Sequence, residues 1–237
     1  MRFLVLSDIH GDTAVLDALD DEFAAADAVL FAGDFARFNE PETGLPVLHA
    51  LVKKHETLFS VLGNCDKPEF IQELERLDVS VQGDMVFRDG LVFAGSGGAL
   101  RFTGTTPNER SDEELVSDLH IILEQTVEHS EHSGMWRNMI LLIHQPPKDT
   151  LCDQIESGAH VGSPLLKEFI EKTQPLAVIT GHIHESAAVD HIGSTLIINP
   201  GAAAEGKYAI LEITADNDEW HIQNADLKTT AKEQQAQ

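Results

Sequence analysis

Basic residues are scarce in this chain: 16 Lys and Arg stand against 40 Asp and Glu, a formal charge of −24. That balance argues against nonspecific binding to nucleic acid or to anionic membrane, because counterion release and surface adsorption both need basic patches. A polyanionic substrate would have to be drawn in by local positive charge, which bound cations can supply. Cysteine is scarcer still. The two present, Cys65 and Cys152, sit in unlike contexts and outside any Cys-x-x-Cys, which excludes a disulfide framework and favours a reducing cytoplasm. Long hydrophobic runs are missing as well. The apolar opening, residues 1–6, is broken by Asp8 and His10, too early for a membrane-inserting or secretory segment. A soluble, unprocessed, cytoplasmic protein is expected. The chain also lacks a Pro/Gly/Ser-rich linker, an internal repeat and a low-complexity tract. Residues 1–225 therefore read as one domain, and 226–237, polar and without large apolar residues after Leu227, as a frayed tail.

What remains is an ordinary globular composition, 42% hydrophobic over 237 residues, enough for a sizeable core. Short apolar runs rich in Val, Ile, Leu and Phe, ended by Gly, Asp or Asn, read as buried strands at 3–6, 29–32, 57–62, 86–87, 91–94, 139–143, 177–180, 187–189, 195–198 and 208–213. Helical spacing lies between several of them. Asp12 or Thr13 can cap a helix that buries Val15, Leu16, Leu19 and Phe23, and Ser111 with Glu114 forms a capping box ahead of Leu115, Leu119, Ile122 and Val127. Ser163 followed by Pro164 opens another helix. Alternating strands and helices over the first third imply right-handed crossovers and a parallel sheet, whereas closely spaced strands after Gly181 imply antiparallel hairpins. The expected class is α/β with mixed sheets.

Residues of the kind that bind metal stand where these strands end. Ser7-Asp8-Ile9-His10 follows the first, Gly33-Asp34 the second and Gly63-Asn64-Cys65-Asp66 the third; His144 and the pair His182 and His184 extend the pattern. In an open α/β sheet the carboxyl ends of the strands converge on one crevice. Asp-x-His and His-x-His each place two side chains on one face of extended backbone. The glycine ahead of Asp34, Asn64 and His182 permits a sharp exit and a close backbone approach. A lone His is more often a structural residue, but recurrence at successive strand ends singles out Asp8, His10, Asp34, Asn64, His144, His182 and His184. This mixed oxygen and nitrogen set suits Mn2+, Fe2+, Zn2+, Co2+ or Ni2+ rather than Ca2+. Arg37 and Arg101 are candidate phosphate contacts, guanidinium being a bidentate partner for phosphate, although a surface Arg is the commoner case. Gly95-Ser96-Gly97-Gly98 is either a cradle of backbone amides or a tight turn. His49, His55, His120, His129 and His132 fall on predicted helices among polar neighbours and read as surface residues.

In this order the motifs Asp8-x-His10, Gly33-Asp34, Gly63-Asn64, His144 and Gly181-His182-x-His184 resemble the calcineurin-like metallophosphoesterase family over most of the chain. The likeness is strongest to small prokaryotic phosphoesterases with the stretch His144-Gln145-Pro146-Pro147, a loop Gly158-Ala159-His160-Val161-Gly162-Ser163, and Glu185 after His184. The resemblance implies a four-layer α/β/β/α sandwich of two mixed sheets. It also implies two divalent cations, with Asp8, His10 and His184 on one, Asn64, His144 and His182 on the other, and Asp34 bridging both. Such a pair, about 3.5–4 Å apart, lowers the pKa of a shared water and clamps the attacking and leaving oxygens. The implied activity is hydrolysis of a small-molecule phosphodiester or activated phosphoester by a bridging hydroxide. The family's usual proton donor, a His after Gly-Asn acting with the next Asp, is here Cys65 beside Asp66. A thiol of ordinary pKa near about 8.5 donates poorly compared with imidazole, and His160, on the long segment between His144 and Ser163, is a candidate to compensate or to contact substrate. Rival readings are a Ser/Thr protein phosphatase and a non-catalytic metal-binding scaffold of the same fold. The retention of all the ligand positions disfavours the scaffold.

Overall fold

The computed structural model describes residues 1–128, 136–217 and 219–230, with the backbone alone for 126–128. In chain order the strands are β1 Arg2–Leu6, β2 Ala28–Phe31, β3 Leu58–Ser60, β4 Met85–Arg88, β5 Leu91–Ser96, β6 Ala99–Leu100, β7 Glu109–Arg110, β8 Met139–Ile143, β9 Ala177–Ile179, β10 Ala188–Ile192, β11 Thr195–Asn199, β12 Lys207–Asp216 and β13 Glu219–Thr229. The helices are α1 Ala14–Asp17, α2 Asp20–Ala25, α3 Gly44–Lys54, α4 Ile71–Arg76, α5 Asp112–Ser117, α6 His120–Glu128 and α7 Pro164–Thr173. One sheet has the order β13-β12-β1-β2-β3 and the other β10-β11-β9-β8-β5-β4, with β6 and β7 forming a small pair of their own. Both large sheets are mixed: β1, β2 and β3 run parallel while β12 and β13 are antiparallel, and β5, β8, β9 and β11 run parallel between antiparallel β4 and β10.

Period-2 alternation distributes the buried strand residues among three apolar layers. Phe3, Val5, Leu30 and Phe59 of the first sheet meet Phe93, Ile140, Leu142 and Ile198 of the second between the sheets. Phe59 and Phe93 stack there at 3.8 Å between ring centroids and 10° between planes; truncating such a core ring costs about 3–5 kcal/mol. The alternate residues Leu4, Leu6, Val29 and Phe31 face Leu16, Phe23, Leu48 and Leu74 of the first helical layer. Leu141, Ile143, Val178 and Ile197 face Leu115, Ile122, Leu166 and Ile170 of the second. The result is the expected α/β/β/α sandwich.

Local differences have local causes. The helix expected after Asp12 is broken into α1 and α2, which lets Leu16, Leu19 and Phe23 all stay buried. The Ser111–Glu114 capping box forms with both reciprocal bonds, and Ser163 caps α7 by accepting from Leu166 N at 2.9 Å. His55 is not a surface residue, because its ring closes the end of α3 against Thr57 O at 2.8 Å and Ala26 O at 3.1 Å. The strand β13 is absent from the sequence reading, and the boundary expected at Asp226 falls inside it. Its pairing with β12, from Ile210↔Asp226 to Lys207↔Thr229, is a backbone ladder that needs no apolar side chain. The Val127 side chain, His129, His132 and the tail beyond Thr230 lie outside the described residues. Among the described residues no helix is long and apolar enough to cross a membrane.

Candidate metal centre

The carboxyl ends of β1, β2, β3, β8 and β9 open on one side of the sandwich, where the metal-ligand candidates gather. Asp8, His10, Asp34 and His182 have φ values of 57°, 48°, 61° and 68°, all left-handed and none glycine. Each such residue costs on the order of 1–3 kcal/mol and persists only where its surroundings over-determine it. Here the loop after β1 is laced to the loop after β2: Asp8 N donates to Gly33 O at 2.9 Å, His10 N to Asp34 O at 3.0 Å and Gly11 N to Phe35 O at 2.9 Å. Glycine at 63 and 181 is a matter of space. A Cβ on Gly63 would strike the Asp34 carboxylate and backbone, and one on Gly181 would strike Ser7 and Asp8.

The donor atoms converge. Asp34 Oδ2 lies 3.7 Å from His10 Nε2 and 3.6 Å from His144 Nε2, between the two halves of the cluster. On one side Asp8 Oδ1 is 3.2 Å from His184 Nε2 and 3.7 Å from His10 Nε2. On the other, His144 Nε2 faces Asn64 Oδ1 at 2.9 Å, with the His182 ring 5.3 Å away between centroids. His144 Nδ1 bonds Ala32 O at 2.7 Å and His10 Nδ1 bonds Ala36 O at 3.2 Å. Those carbonyls assign the proton to Nδ1 and leave the Nε2 lone pairs turned inward. His10 Nε2 and His184 Nε2 lie 3.2 Å apart, close enough to share a proton or a cation. Burial pushes the Asp8 carboxyl up, but the His184 hydrogen bond and the surrounding imidazoles outweigh it and hold it far below the usual range. Burial likewise pushes His184 down, yet Asp8 and Asp34 raise it to about 9. His182 is pushed down to about 4 by burial and by His144. Buried carboxylates and inward imidazole nitrogens, in groups such as Asp8, His10 and His184 or Asp8, Asp34 and His144 that span no more than 4.8 Å, fit divalent transition cations.

Around this cluster the remaining sequence candidates separate. The Cys65 sulfur sits within 4.8 Å of the His10 and Asp34 donors, and burial followed by the Asp34 charge pushes its thiol far up. Asp66 is fully buried and faces the scaffold: its Oδ2 accepts from Gly63 N at 2.8 Å, Asp34 N at 3.1 Å and Phe35 N at 3.2 Å, and its Oδ1 from Ala36 N at 2.8 Å. Arg37 forms an exposed pair with Glu40 at 3.0 Å. Arg101 pairs with Glu114 at 2.9 Å at the rim of a cavity beside the cluster. His160 bonds the buried Asp153 at 2.7 Å, so it pins its own loop, with a carboxylate as partner, and is not brought into the ligand cluster. The amide of Gly98 donates to Leu62 O at 2.9 Å and the Ser96 hydroxyl to Leu115 O at 2.7 Å, which commits that stretch to packing.

Several supporting residues escape sequence reasoning. Asn108 donates to Gly63 O at 3.0 Å and Asn199 to Ile183 O at 2.9 Å, steadying the loops that carry Asn64 and His182. Gln145, signalled only by its place beside His144, accepts from Leu100 N at 2.9 Å and donates to Val161 O at 3.2 Å. Two carboxylates organise whole loops. Asp153 accepts from Thr150 N at 2.8 Å and Gly162 N at 2.9 Å. Glu109 accepts from Phe102 N at 2.8 Å, Gly104 N at 2.9 Å and Thr105 N at 3.1 Å. The run Thr103-Gly-Thr-Thr-Pro-Asn108 before Glu109 was the available sign, since turn amides need an acceptor.

Desolvation pushes the Glu109 carboxyl up, but the amides of Phe102, Gly104 and Thr106 prevail and lower it from 4.5 to about 2. A depressed carboxyl stabilises above its unfolded value and loses that contribution as pH falls, so the loop should stay ordered above about 4.5 and loosen toward about 2. Glu109→Gln is expected to lose about fivefold of the amide protection at Phe102, Gly104 and Thr105 at neutral pH, at about 1 kcal/mol per net hydrogen bond. Unchanged protection factors would take Glu109 out of this role.

A four-layer α/β/β/α sandwich with an Asp/Asn/His cluster at its strand ends can hold the divalent cations of a metal-dependent phosphoesterase. The chain belongs to the calcineurin-like phosphoesterase family, whose model matches residues 1–186. Members of that family use dinuclear divalent metal centres. The chain is 28% identical over 206 residues to the uncharacterized protein MJ1162 of Methanocaldococcus jannaschii, covering 84% of this chain and 88% of that one. Its fold is similar to that of TT1561 of Thermus thermophilus, with a TM-score of 0.65, 18% identity and coverage of 94% and 98% of the two chains. It is likewise similar to a dimetal phosphatase from Danio rerio, with a TM-score of 0.64, 13% identity and coverage of 98% and 99%.

Proposed function

We propose that this protein hydrolyses small-molecule phosphodiesters, or phosphoesters with good leaving groups, at a dinuclear metal centre. The observation that carries the reading is the position of Asp34, whose Oδ2 is nearly equidistant from His10 and His144 in the two halves of the cluster. Asp8, His10 and His184 would hold one cation and Asn64, His144 and His182 the other, with Asp34 shared. Bound there, the cations would supply Lewis acidity toward the phosphoryl oxygens and a water acidic enough to attack near neutral pH. The chain's own residues do the positioning. Ala32 O and Ala36 O orient the His144 and His10 rings, and Asp66 ties the Asp34 and Gly63 turns together. Cys65, held as a neutral thiol, is a weak acid for a leaving alkoxide, which favours esters whose leaving group needs little protonation. The net charge of −24 supports a small substrate over nucleic acid, and two buried free thiols support a reducing, cytoplasmic setting.

Chelation is expected to abolish hydrolysis of bis(p-nitrophenyl) phosphate, and Mn2+ or a related cation to restore it. On the restored protein, kcat/KM for that diester should exceed that for an alkyl monoester. Full activity in verified metal-free protein would sink the metal reading; a strong alkyl-monoester preference would sink the leaving-group reading.

A further inference from the structure

Beside the Asn64 and His182 half of the cluster lies a cavity of about 370 Å3, at the lower end of the range of about 300–1,000 Å3 for small-molecule sites. Both candidate ligands are part of its lining, so a phosphoryl group engaged by the centre would direct its ester substituent into this space. The walls are apolar: Leu100 and Phe102 come from the loop organised by Glu109, Ile155 and Val161 from the loop organised by Asp153, and Ile183 from the turn between His182 and His184. Gln145 ties the two loops across the cavity at Leu100 and Val161.

Most of the polar groups of these walls already have partners within the protein. The Gln145 amide is used by that tie, Thr106 Oγ1 donates to Glu109 at 3.2 Å, and Glu109 is occupied by loop amides. Among the described residues Arg101 is the one fixed cation in the lining, and it is 64% exposed and paired with Glu114. A second anionic group on the substrate would lose its hydration against apolar walls and meet the Glu109 carboxylate, with Arg101, already paired with Glu114, as the one cation in reach among the described residues. An uncharged ring loses nothing and buries apolar area.

We propose that this cavity is the subsite for the organic group of the substrate, and that it selects phosphoesters bearing an uncharged, ring-sized apolar substituent. The inference rests on the phosphoesterase reading above. Its test is the binding of inorganic phosphate, methylphosphonate, phenylphosphonate and 4-carboxyphenylphosphonate to the Mn2+-loaded protein, measured by calorimetry. Phenylphosphonate should bind about tenfold or more tightly than methylphosphonate, and the added carboxylate should cancel that gain. Phe102→Ala, a change at a side chain 93% exposed, and Val161→Asn should each shrink the phenyl-to-methyl ratio. Equal affinity for the phenyl and methyl compounds, no penalty for the carboxylate, or an unchanged ratio in both variants overturns the subsite, while phosphate binding and diester hydrolysis leave the phosphoesterase reading standing. Failure of all four compounds to bind, together with no hydrolysis, overturns that reading first and the subsite with it.

Discussion

Asp34→Asn is expected to lower kcat/KM for an activated phosphodiester by about 10³-fold or more while the protein stays folded. The substitution keeps an oxygen for the Cys65 amide, which donates to Asp34 Oδ1 at 2.8 Å, and keeps the side-chain volume against which Gly63 is packed. What it removes is the negative charge between the two halves of the cluster. Two cations held close together repel each other, and a neutral amide in the shared position offsets less of that repulsion than a carboxylate does. Charge stabilisation by a metal pair is worth several kcal/mol, and about 1.4 kcal/mol is a factor of ten in rate. Metal content, melting temperature and turnover together decide the matter. Turnover within a few-fold of wild type, with both metals bound, would remove Asp34 from the shared position.

Asp66→Ala should lower the melting temperature of the metal-loaded protein by about 2 °C or more and weaken metal binding by about 10–100-fold. Two effects oppose each other at this site. Burial, and then the Asp34 charge, push the Asp66 carboxyl up to about 6, so deleting it relieves strain of about 3 kcal/mol at most. Against that, the amides of Gly63, Asp34, Phe35 and Ala36 would lose their acceptor, and each buried unsatisfied N–H costs about 1–3 kcal/mol. The lost hydrogen bonds therefore win, the more so once cations on Asp34 have reduced the repulsion. For a chain of this size each kcal/mol moves the midpoint by about 2–4 °C. The metal-affinity loss follows from the freed Asp34 and Gly63 turns, since supporting residues of metal sites are typically worth that factor. Asp66→Asn, which retains one oxygen, should recover part of both losses. A melting temperature and metal affinity unchanged in Asp66→Ala would show that the turns hold their shape without it.

The strands that build the two inner faces were legible because both of their faces are buried in apolar layers, so that they read as uninterrupted apolar runs such as 139–143 and 3–6. The ligand set was legible for a related reason. Each motif follows directly on such a strand, and parallel strands carry their ends to a common edge whatever lies between them in sequence. By contrast β13, an edge strand held by its ladder with β12, puts only Trp220, Ile222 and Ala225 against the core and turns polar residues to solvent, too few apolar positions to mark eleven residues as a strand.

The sequence by itself determined which residues can bind metal, at which strand ends they stand and which sandwich they belong to. These are properties of residue type and local periodicity. Only the tertiary structure decided what the neighbouring polar residues do. Asp66, read as a partner in proton transfer, has its oxygens taken by four backbone amides. His160 is held by Asp153, seven residues away in the chain, and Arg101 by Glu114. Glu109, which attracted no notice, and Gln145, noticed only as part of the stretch after His144, shape the cavity beside the centre. A carboxylate or a guanidinium has the same chemistry in a site, in a loop or on a surface, and its role is set by whichever partner lies within hydrogen-bonding distance; that distance exists only once the chain has folded.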